Sequence, residues 1–502
     1  MKVLIFHGYL LRGTGSNVYN ASLATALARL GHEVHLLCQD REAPDLGAGT
    51  SGSVTIHNPE IGGLLPVFVH DAYEGFEVKT FLELSDGELD AYLEANVTAV
   101  RDLVGELGGV DAALANHLIM GPLILARAGL RYALKVHGSD LSYSVLADLE
   151  RFRPFAAEAC AAANGILVGS GHIADRLRLA VDDPETNAKV RLGPPGVDTG
   201  LFAPIEPGDR SRQLGELAER LRAIDEKLSD GENNSSSAWD RDPMAAAAAL
   251  EWYAEAQGPR VIFVGKLIVS KGIDLLLAAW PLVHAANPGA RLLVVGFGSL
   301  EPALQRIWAA MGEGDIGPLE ELAARGRGLE GAEDDELAIL TAFLEEPPAE
   351  YAAMAAAARD SVRFAGRLEH AEVAVPIAAS DALVFPSTFP EAFGMVAAEA
   401  ASAGALPVSS AHSGAAEVSA ALARDLSPAL AGLVSFELGD DSVAAIAERL
   451  RAWLALPADE RDAASASLRA TVERLWSWDG VARGVLAASS GELDDLDRPA
   501  SS

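Results

Sequence analysis

Two α/β halves built on parallel sheets are predicted by three observations. The chain opens strand, glycine-containing loop, helix, strand; the same order restarts near residue 260; and 502 residues are too many for one ordinary core. In the first half, Lys2-Val-Leu-Ile-Phe6 is a short apolar strand, His7 to Ser16 a loop, about Asn17 to Leu30 a helix, and Glu33-Val-His-Leu-Leu-Cys38 the next strand. The Arg12-Gly13-Thr14-Gly15-Ser16-Asn17 loop lies where a phosphate could rest on the helix that follows. A dinucleotide fold is the competing reading. Against it, the glycines begin well beyond the strand end, and the third glycine of a G-x-G-x-x-G falls on Val18. Asp40 would then mimic a ribose-binding acid, although a polar strand end explains it more simply.

Alternation of β and α continues with Val54 to His57 (strand), about Gly87 to Leu107 (helix), Ala112 to Ala115 (strand), about Gly121 to Ala128 (helix) and Tyr132 to Val136 (strand). The last of these ends in His137-Gly138-Ser139-Asp140, and α/β proteins place ligands at the C-terminal ends of their strands. A structural loop histidine is the plainer alternative. After a helix around Phe155 to Ala163 and the strand Gly165 to Val168, Gly193-Pro-Pro-Gly196 to Phe202 reads as a rigid, turn-rich boundary between domains.

From Glu206 to Gln257 the composition shifts to charged helical repeats, a polar patch at Glu232 to Ser237 and an alanine run at Ala245 to Ala249, which reads as a surface insertion with a flexible middle. The second half then opens with Arg260-Val-Ile-Phe-Val264 and Gly265-Lys266-Leu-Ile-Val-Ser-Lys271-Gly272, leading into a helix from Ile273 to His284. Two lysines five apart in a loop before a helix make an anion clamp in an acidic chain, solvated loop lysines being the alternative. The loop lacks G-x-x-x-x-G-K-[ST], so hydrolysis of a nucleoside triphosphate is not implied. The strand Arg291 to Val295 ends in Gly296-Phe-Gly298, and a second acidic stretch, about Met311 to Ala357, is expected outside the core.

Phe385-Pro-Ser-Thr-Phe-Pro-Glu391-Ala-Phe-Gly-Met-Val-Ala-Ala-Glu399-Ala reads as strand end, loop and helix. Helical spacing places Glu391 and Glu399 roughly 80° apart around the axis and about 12 Å along it, so one element reaches two ends of a long ligand. The amides of Phe393, Gly394 and Met395 fall among the unpaired donors that open a helix. An amphipathic helix with two solvated glutamates is the alternative. Trp476 and Trp478, near the end of the chain, suggest a late helix packed back on the first half.

Composition narrows the partners. A formal net charge of −33 argues against nucleic acid and anionic membranes, so any phosphate must meet local cations or backbone amides. No stretch reaches the roughly 20 apolar residues of a membrane span, and the start has no signal-peptide pattern. Cys38 and Cys160 have neither disulfide-framework nor metal-like spacing, which points to a reducing, cytoplasmic compartment. Acidic pairs such as Asp182-Asp183 and Asp440-Asp441 read as solvated turns, so no metal is expected.

Taken together, Gly265-Lys266…Lys271-Gly272, Val362 to Gly366, Pro386-Ser387…Glu391-Ala-Phe-Gly394…Glu399-Ala and Pro407-Val408…Gly414…Glu417 resemble a GT-B glycosyltransferase of the retaining family 4 type. The resemblance implies two Rossmann-like domains facing each other across a cleft, with helical insertions. It divides the chain into an acceptor domain (1–204), a helical insertion (205–258), a donor domain (259–470, with the acidic insertion at about 311–357), a C-terminal helix returning to the first domain (471–490) and a disordered acidic tail (491–502). It also implies transfer of a sugar from a UDP-, GDP- or ADP-sugar to the hydroxyl of a small molecule, saccharide or glycolipid precursor.

In that reading Lys266 and Lys271 hold the donor diphosphate, Glu399 accepts the ribose hydroxyls, and Glu391 with the Phe393, Gly394 and Met395 amides holds the donor sugar. His137 faces the reacting carbon, Gly13 and Gly15 lie near the diphosphate, and domain closure expels water. Three departures from the family pattern stand out: lysine rather than arginine at 266, Gly171 after Ser170, and one extra residue in Gly404-Ala-Leu-Pro407. The rivals are a phosphorylase or epimerase on the same fold and a non-catalytic sugar-nucleotide binder. Acceptor recognition is expected in variable loops such as Ile61 to Glu77, where Gly62, Gly63, Phe68, Tyr73 and Phe76 serve either packing or binding.

Overall fold

The computed structural model describes residues 1–11, 15–43, 45–68, 75–229 and 241–500. Its strands are β1 (Lys2–Phe6), β2 (Glu33–Leu37), β3 (Ser53–His57), β4 (Leu64–Val67), β5 (Glu77–Thr80), β6 (Ala112–Asn116), β7 (Ala133–Val136), β8 (Gly165–Val168), β9 (Val190–Leu192), β10 (Arg260–Val264), β11 (Arg291–Val295), β12 (Val362–Gly366), β13 (Ala382–Phe385), β14 (Leu406–Ser410) and β15 (Ser435–Phe436). They form two large parallel sheets, ordered β3-β2-β1-β6-β7-β8-β9 and β12-β11-β10-β13-β14-β15, with β4 and β5 paired separately. Near-continuous apolar strands suit a parallel sheet buried on both faces; Leu4, Ile5, Ile262 and Leu383 have no exposed surface.

The chain divides into a first unit, residues 1–196 and 476–502, and a second, 197–475. In the first, the chain runs outward from β1 through β2 to β3 and then returns to place β6 beside β1. In the second it runs from β10 through β11 to β12 and returns to place β13 beside β10. Each return creates a point where successive strands lead away to opposite sides, the place where open α/β sheets bind ligands. The last helix, Trp478–Ser490, belongs to the first unit: Trp478, Ala482, Val485 and Ala488 join its core, Trp478 meets the Tyr19 ring edge-on at 5.5 Å, and Arg29 pairs with Asp479 at 2.9 Å.

Four sequence expectations change. The flanks of 205–258 are not surface decoration. Tyr253, in the helix Pro243–Ala254, is fully buried and donates to Val261 O at 3.0 Å, while Arg210 pairs with Asp381 at 3.0 Å. The alanine run explains this, because small side chains let that helix lie close to the sheet; the polar patch at 232–237 lies outside the described residues. The acidic stretch at 311–357 likewise joins the core: Tyr351 is buried and donates to Ala278 O at 2.7 Å. The tail is not disordered through 500, since Leu192 N donates to Asp497 O (2.7 Å) and Arg191 Nε to Leu493 O (2.8 Å). The segment returning to the first unit is Trp478–Ser490 and not the whole of 471–490, because the preceding helix, Ala458–Leu475, belongs to the second unit. Among the described residues no helix is long and apolar enough to cross a membrane.

Candidate functional site

In the second unit the loops following β10 and β13 meet where those strands part. Gly272 is what allows the approach: its φ is +66°, and a Cβ there would lie 2.0 Å from Pro386 O. Thr388 N donates to Ser270 O at 3.0 Å, and Ser387 Oγ lies 3.1 Å from the same oxygen. These contacts bring together two residues 120 positions apart. Lys271 Nζ donates to Glu391 Oε1 at 2.5 Å, with side chains 27% and 17% exposed. Ser387 Oγ reaches the same carboxylate oxygen at 2.6 Å, Glu391 N donates to Ser413 Oγ at 2.8 Å, and His412 Nε2 donates to Ser387 O at 2.7 Å. An ammonium has three N–H donors, so Lys271 keeps donors for an anion while Glu391 is held.

Glu391 does not sit on the helix. That helix is Met395–Ser402, with Gly394 before it at φ +103°, so the helical spacing of Glu391 and Glu399 does not apply. Phe393 is buried, Gly394 and Met395 form the helix opening, and Glu399 faces inward from the second turn with 5% exposure. Its Oε1 lies 2.8 Å from His370 Nε2. Burial works against a charged His370 ring, but the bond to Glu399 and the nearby Asp198 prevail and raise its pKa above 6.5. Lys266 is exposed and has no side-chain partner among the described residues, whereas Lys271 is paired.

The loop before the helix Ile273–Ala286 is held from a third direction. Glu330, in the acidic stretch, accepts from Val269 N at 2.8 Å. Just beyond, Asp274 is buried with no partner for Oδ1 among the described residues, and burial pushes its carboxyl up to about 7.

In the first unit, His137 stands at the C-terminal end of β7, partly buried, with Nε2 2.8 Å from Asn116 Oδ1. Burial first, and then the proximity of His117, Lys135 and His7, hold its pKa well below the ordinary histidine value. Around it are His7 at the end of β1 and His117 after β6, with the His117 and His137 ring centroids 4.8 Å apart. Lys135 is buried, donates to Gly193 O at 2.6 Å, and is lowered by burial to about 7. Gly15 precedes the helix Ser16–Arg29 at φ +63°; Gly13 lies outside the described residues, as does Tyr73. Phe68 packs against His117 and Phe81, at 4.5 and 4.9 Å between ring centroids.

Sequence reading singled out His137 but passed over His7, Asn20, Asn116 and His117. The rule that marked His137, a polar residue ending an apolar strand, also marks His7 and Asn116-His117. Asn20, inside a helix, carries no such signal. Among the described residues no group of three or more His, Cys, Asp or Glu is placed to hold a metal ion.

Comparison with known proteins bears on the family and the fold. Models described as Glycosyltransferase Family 4 and Glycosyl transferases group 1 match residues 13–201 and 345–469, and a second group 1 model matches 258–322. A D-inositol 3-phosphate glycosyltransferase of Segniliparus rotundus is 27% identical over 298 residues, 56% of this chain and 53% of that protein. A glycogen synthase of Mycobacterium tuberculosis is 28% identical over 256 residues, 49% of this chain and 47% of its own. The matched stretches thus span about half the length of these relatives.

Among solved structures, a glycosyltransferase from Rickettsia africae superposes with TM-score 0.57 at 14% identity over 98% of this chain and 99% of its own. HepE of Anabaena, in complex with UDP and glucose, gives 0.55 at 14% over 99% and 100%. These likenesses establish the fold. The chain belongs to the GT-B glycosyltransferases of the group 1, family 4 type.

Proposed function

We propose that this protein is a retaining, metal-independent glycosyltransferase that moves a hexosyl group from a nucleoside-diphosphate sugar to an acceptor hydroxyl. The observation that carries the reading is the Lys271–Glu391 pair at the strand-return point of the second unit, with Glu399 on the helix that follows. Lys271 and the exposed Lys266 are assigned to the diphosphate. In a chain of net charge −33, local cations are needed for that ligand. As the nucleoside diphosphate leaves, its negative charge grows, and fixed cations with helix-opening amides stabilise that state more than the bound donor.

Glu391 and the amides of Phe393, Gly394 and Met395 are assigned to the sugar hydroxyls, Glu399 to the ribose, Gly13 and Gly15 to the diphosphate, and His137 to the reacting sugar. HepE, bound to UDP and glucose, and the two curated relatives, named for glycosyl transfer and for glycogen synthesis, support a sugar-nucleotide donor and a hydroxylated acceptor. Glu391 is engaged by Lys271 and Ser387, an arrangement that suits a hydroxyl-binding group better than a free nucleophile. Retention is therefore assigned to a same-face displacement in which the leaving phosphate helps to deprotonate the acceptor.

The test is release of UDP, GDP or ADP from the matching glucose donors in the presence of inositol phosphates and glucans, with the product anomer read by NMR. Transfer with retention, unaffected by EDTA, is expected. An inverted product overturns the mechanism, and absence of transfer from every donor overturns the function.

A further inference from the structure

The first unit contains a line of hydrogen bonds whose direction is set at each step by chemistry. His7 Nε2 lies 2.9 Å from Leu10 O and 3.0 Å from Asn17 Oδ1. A backbone carbonyl only accepts, so Nε2 carries the proton. His7 is buried and its pKa is lowered to about 3, chiefly by burial and then by His117, so the ring is neutral and Nδ1 is an acceptor. The partner of Nδ1 is Asn20 Nδ2 at 3.0 Å, which therefore donates; the same amide also donates to Ser16 O at 2.8 Å. Asn20 then presents Oδ1, and Asn116 Nδ2 donates to it at 2.7 Å and to Phe6 O at 3.1 Å. Asn116 is thereby left with Oδ1 facing His137 Nε2 at 2.8 Å, and only a protonated Nε2 satisfies it. Three backbone carbonyls, Leu10 O, Ser16 O and Phe6 O, anchor the line, and no member can be flipped without setting two acceptors or two donors against each other. Asn20 and Asn116 are 0% and 1% exposed, so water does not compensate for a reversed link.

We infer that Asn116 is a positioning residue for His137: it fixes the imidazole as the Nε2–H tautomer and leaves the Nδ1 lone pair as the group that meets a ligand. Among the described residues Nδ1 has no partner. The groups facing His137 argue against a second ring proton. His117 lies 4.8 Å away between ring centroids, burial and then the proximity of His117, Lys135 and His7 oppose a charged ring, and Tyr19 presents its ring at 5.1 Å. A ring in this state accepts a hydrogen bond from a hydroxyl and offers no charge to a phosphate. Resting on the proposed transfer reaction for its consequence, the inference assigns His137 to a sugar or acceptor hydroxyl and leaves anion binding to the lysines of the second unit.

The test uses full-length protein carrying 15N-labelled histidine, with the His137 signals assigned by their loss in His137→Gln. For unliganded wild type, a pyrrole-like Nε2 and a pyridine-like Nδ1 are expected, unchanged from pH 6 to 8. An Nδ1–H tautomer or an imidazolium in that range overturns the proposal, and this measurement needs no variant of Asn116 to fold. In kinetics, Asn116→Ala is expected to lower kcat roughly 10- to 100-fold with donor KM changed less than about threefold, as for a misoriented reacting group. Asn116→Asp, which still accepts from Nε2 but adds a negative charge, is expected to carry the kcat profile toward higher pH. A kcat within about twofold of wild type for Asn116→Ala would remove the positioning role. Absence of turnover in wild type with the Nε2–H signature present would remove the transferase reading and leave the tautomer assignment standing.

Discussion

Where β1 and β6 part, the first unit gathers His7, Asn20, Asn116 and His137; where β10 and β13 part, the second gathers Lys271, Glu391, Ser387 and Ser413. The topology is the same and the means of fixing the groups differ. The first cluster is neutral, its members ordered by donor and acceptor direction and anchored on backbone carbonyls. The second turns on an ion pair whose members stay 27% and 17% exposed. Direction fixes orientation without charge, which suits hydroxyl groups. An ion pair open to solvent, whose ammonium keeps N–H donors beyond the one on Glu391, suits an anion. A neutral cluster ordered by bond direction in the first unit thus stands against a charged, partly exposed one in the second.

Removing the charge on either side of the ion pair tests that separation most severely. Lys271→Ala and Glu391→Ala are each expected to lower transfer about 100- to 1000-fold, the range seen when a preorganised transition-state contact is lost. The fold should persist, because partly exposed pairs contribute little to stability. Steady-state kinetics beside a circular dichroism melt check this. Near-normal turnover in both variants would break the comparison at its charged end.

A smaller effect is expected at Asp274, next to the Lys271 loop but outside the pair. Its folded pKa of about 7 lies above the ordinary 3.8, so between those values the folded state holds a proton the unfolded state has lost, and stability falls as pH rises. Asp274→Asn should therefore stabilise by on the order of 4 kcal/mol more at pH 8 than at pH 4. Urea titrations at the two pH values check the sign. An equal change at both would mean that the carboxyl ionises normally.

The smallest effect concerns His370 and Glu399. A raised histidine pKa contributes stability that is fully present below 6.5 and is lost as pH rises through the folded value. Wild type should lead His370→Gln by on the order of 0.5 kcal/mol at pH 6, allowing for screening of a ring about a third exposed, and the lead should shrink above neutrality. Melts at pH 6 and 8 measure it, and a lead that grows with pH would contradict the pairing.

Most strands were legible because parallel strands buried on both faces read as short apolar runs. Lys2–Phe6, Arg260–Val264 and Arg291–Val295 appear in the structure with the expected bounds. β4 was missed because Pro66 interrupts it, and a small two-stranded sheet tolerates a proline that a central strand would not. Lys271, Glu391, Glu399 and His137 were legible as residue types in the right loops. Their partners were not. The Lys271–Glu391 contact and the line from His7 through Asn20 and Asn116 to His137 join positions brought together only by strand order, and no local pattern marks Ser387, His370 or Asn20 as a partner. The placement of Glu391 failed for a local reason: Gly394, at φ +103°, begins the helix three residues after it. The two acidic or polar stretches were misjudged because their charge was read without the tyrosines, Tyr253 and Tyr351, that dock them.

Thermal-shift screening of wild type, Lys271→Ala and Glu399→Gln against UDP, GDP, ADP and their glucose conjugates asks whether the charged cluster of the second unit is the donor site. One nucleotide is expected to stabilise wild type, by about 2.7 kcal/mol at 100 times its dissociation constant, and to lose most of that effect in both variants. Equal stabilisation of all three proteins, or of none by any nucleotide, would contradict that assignment.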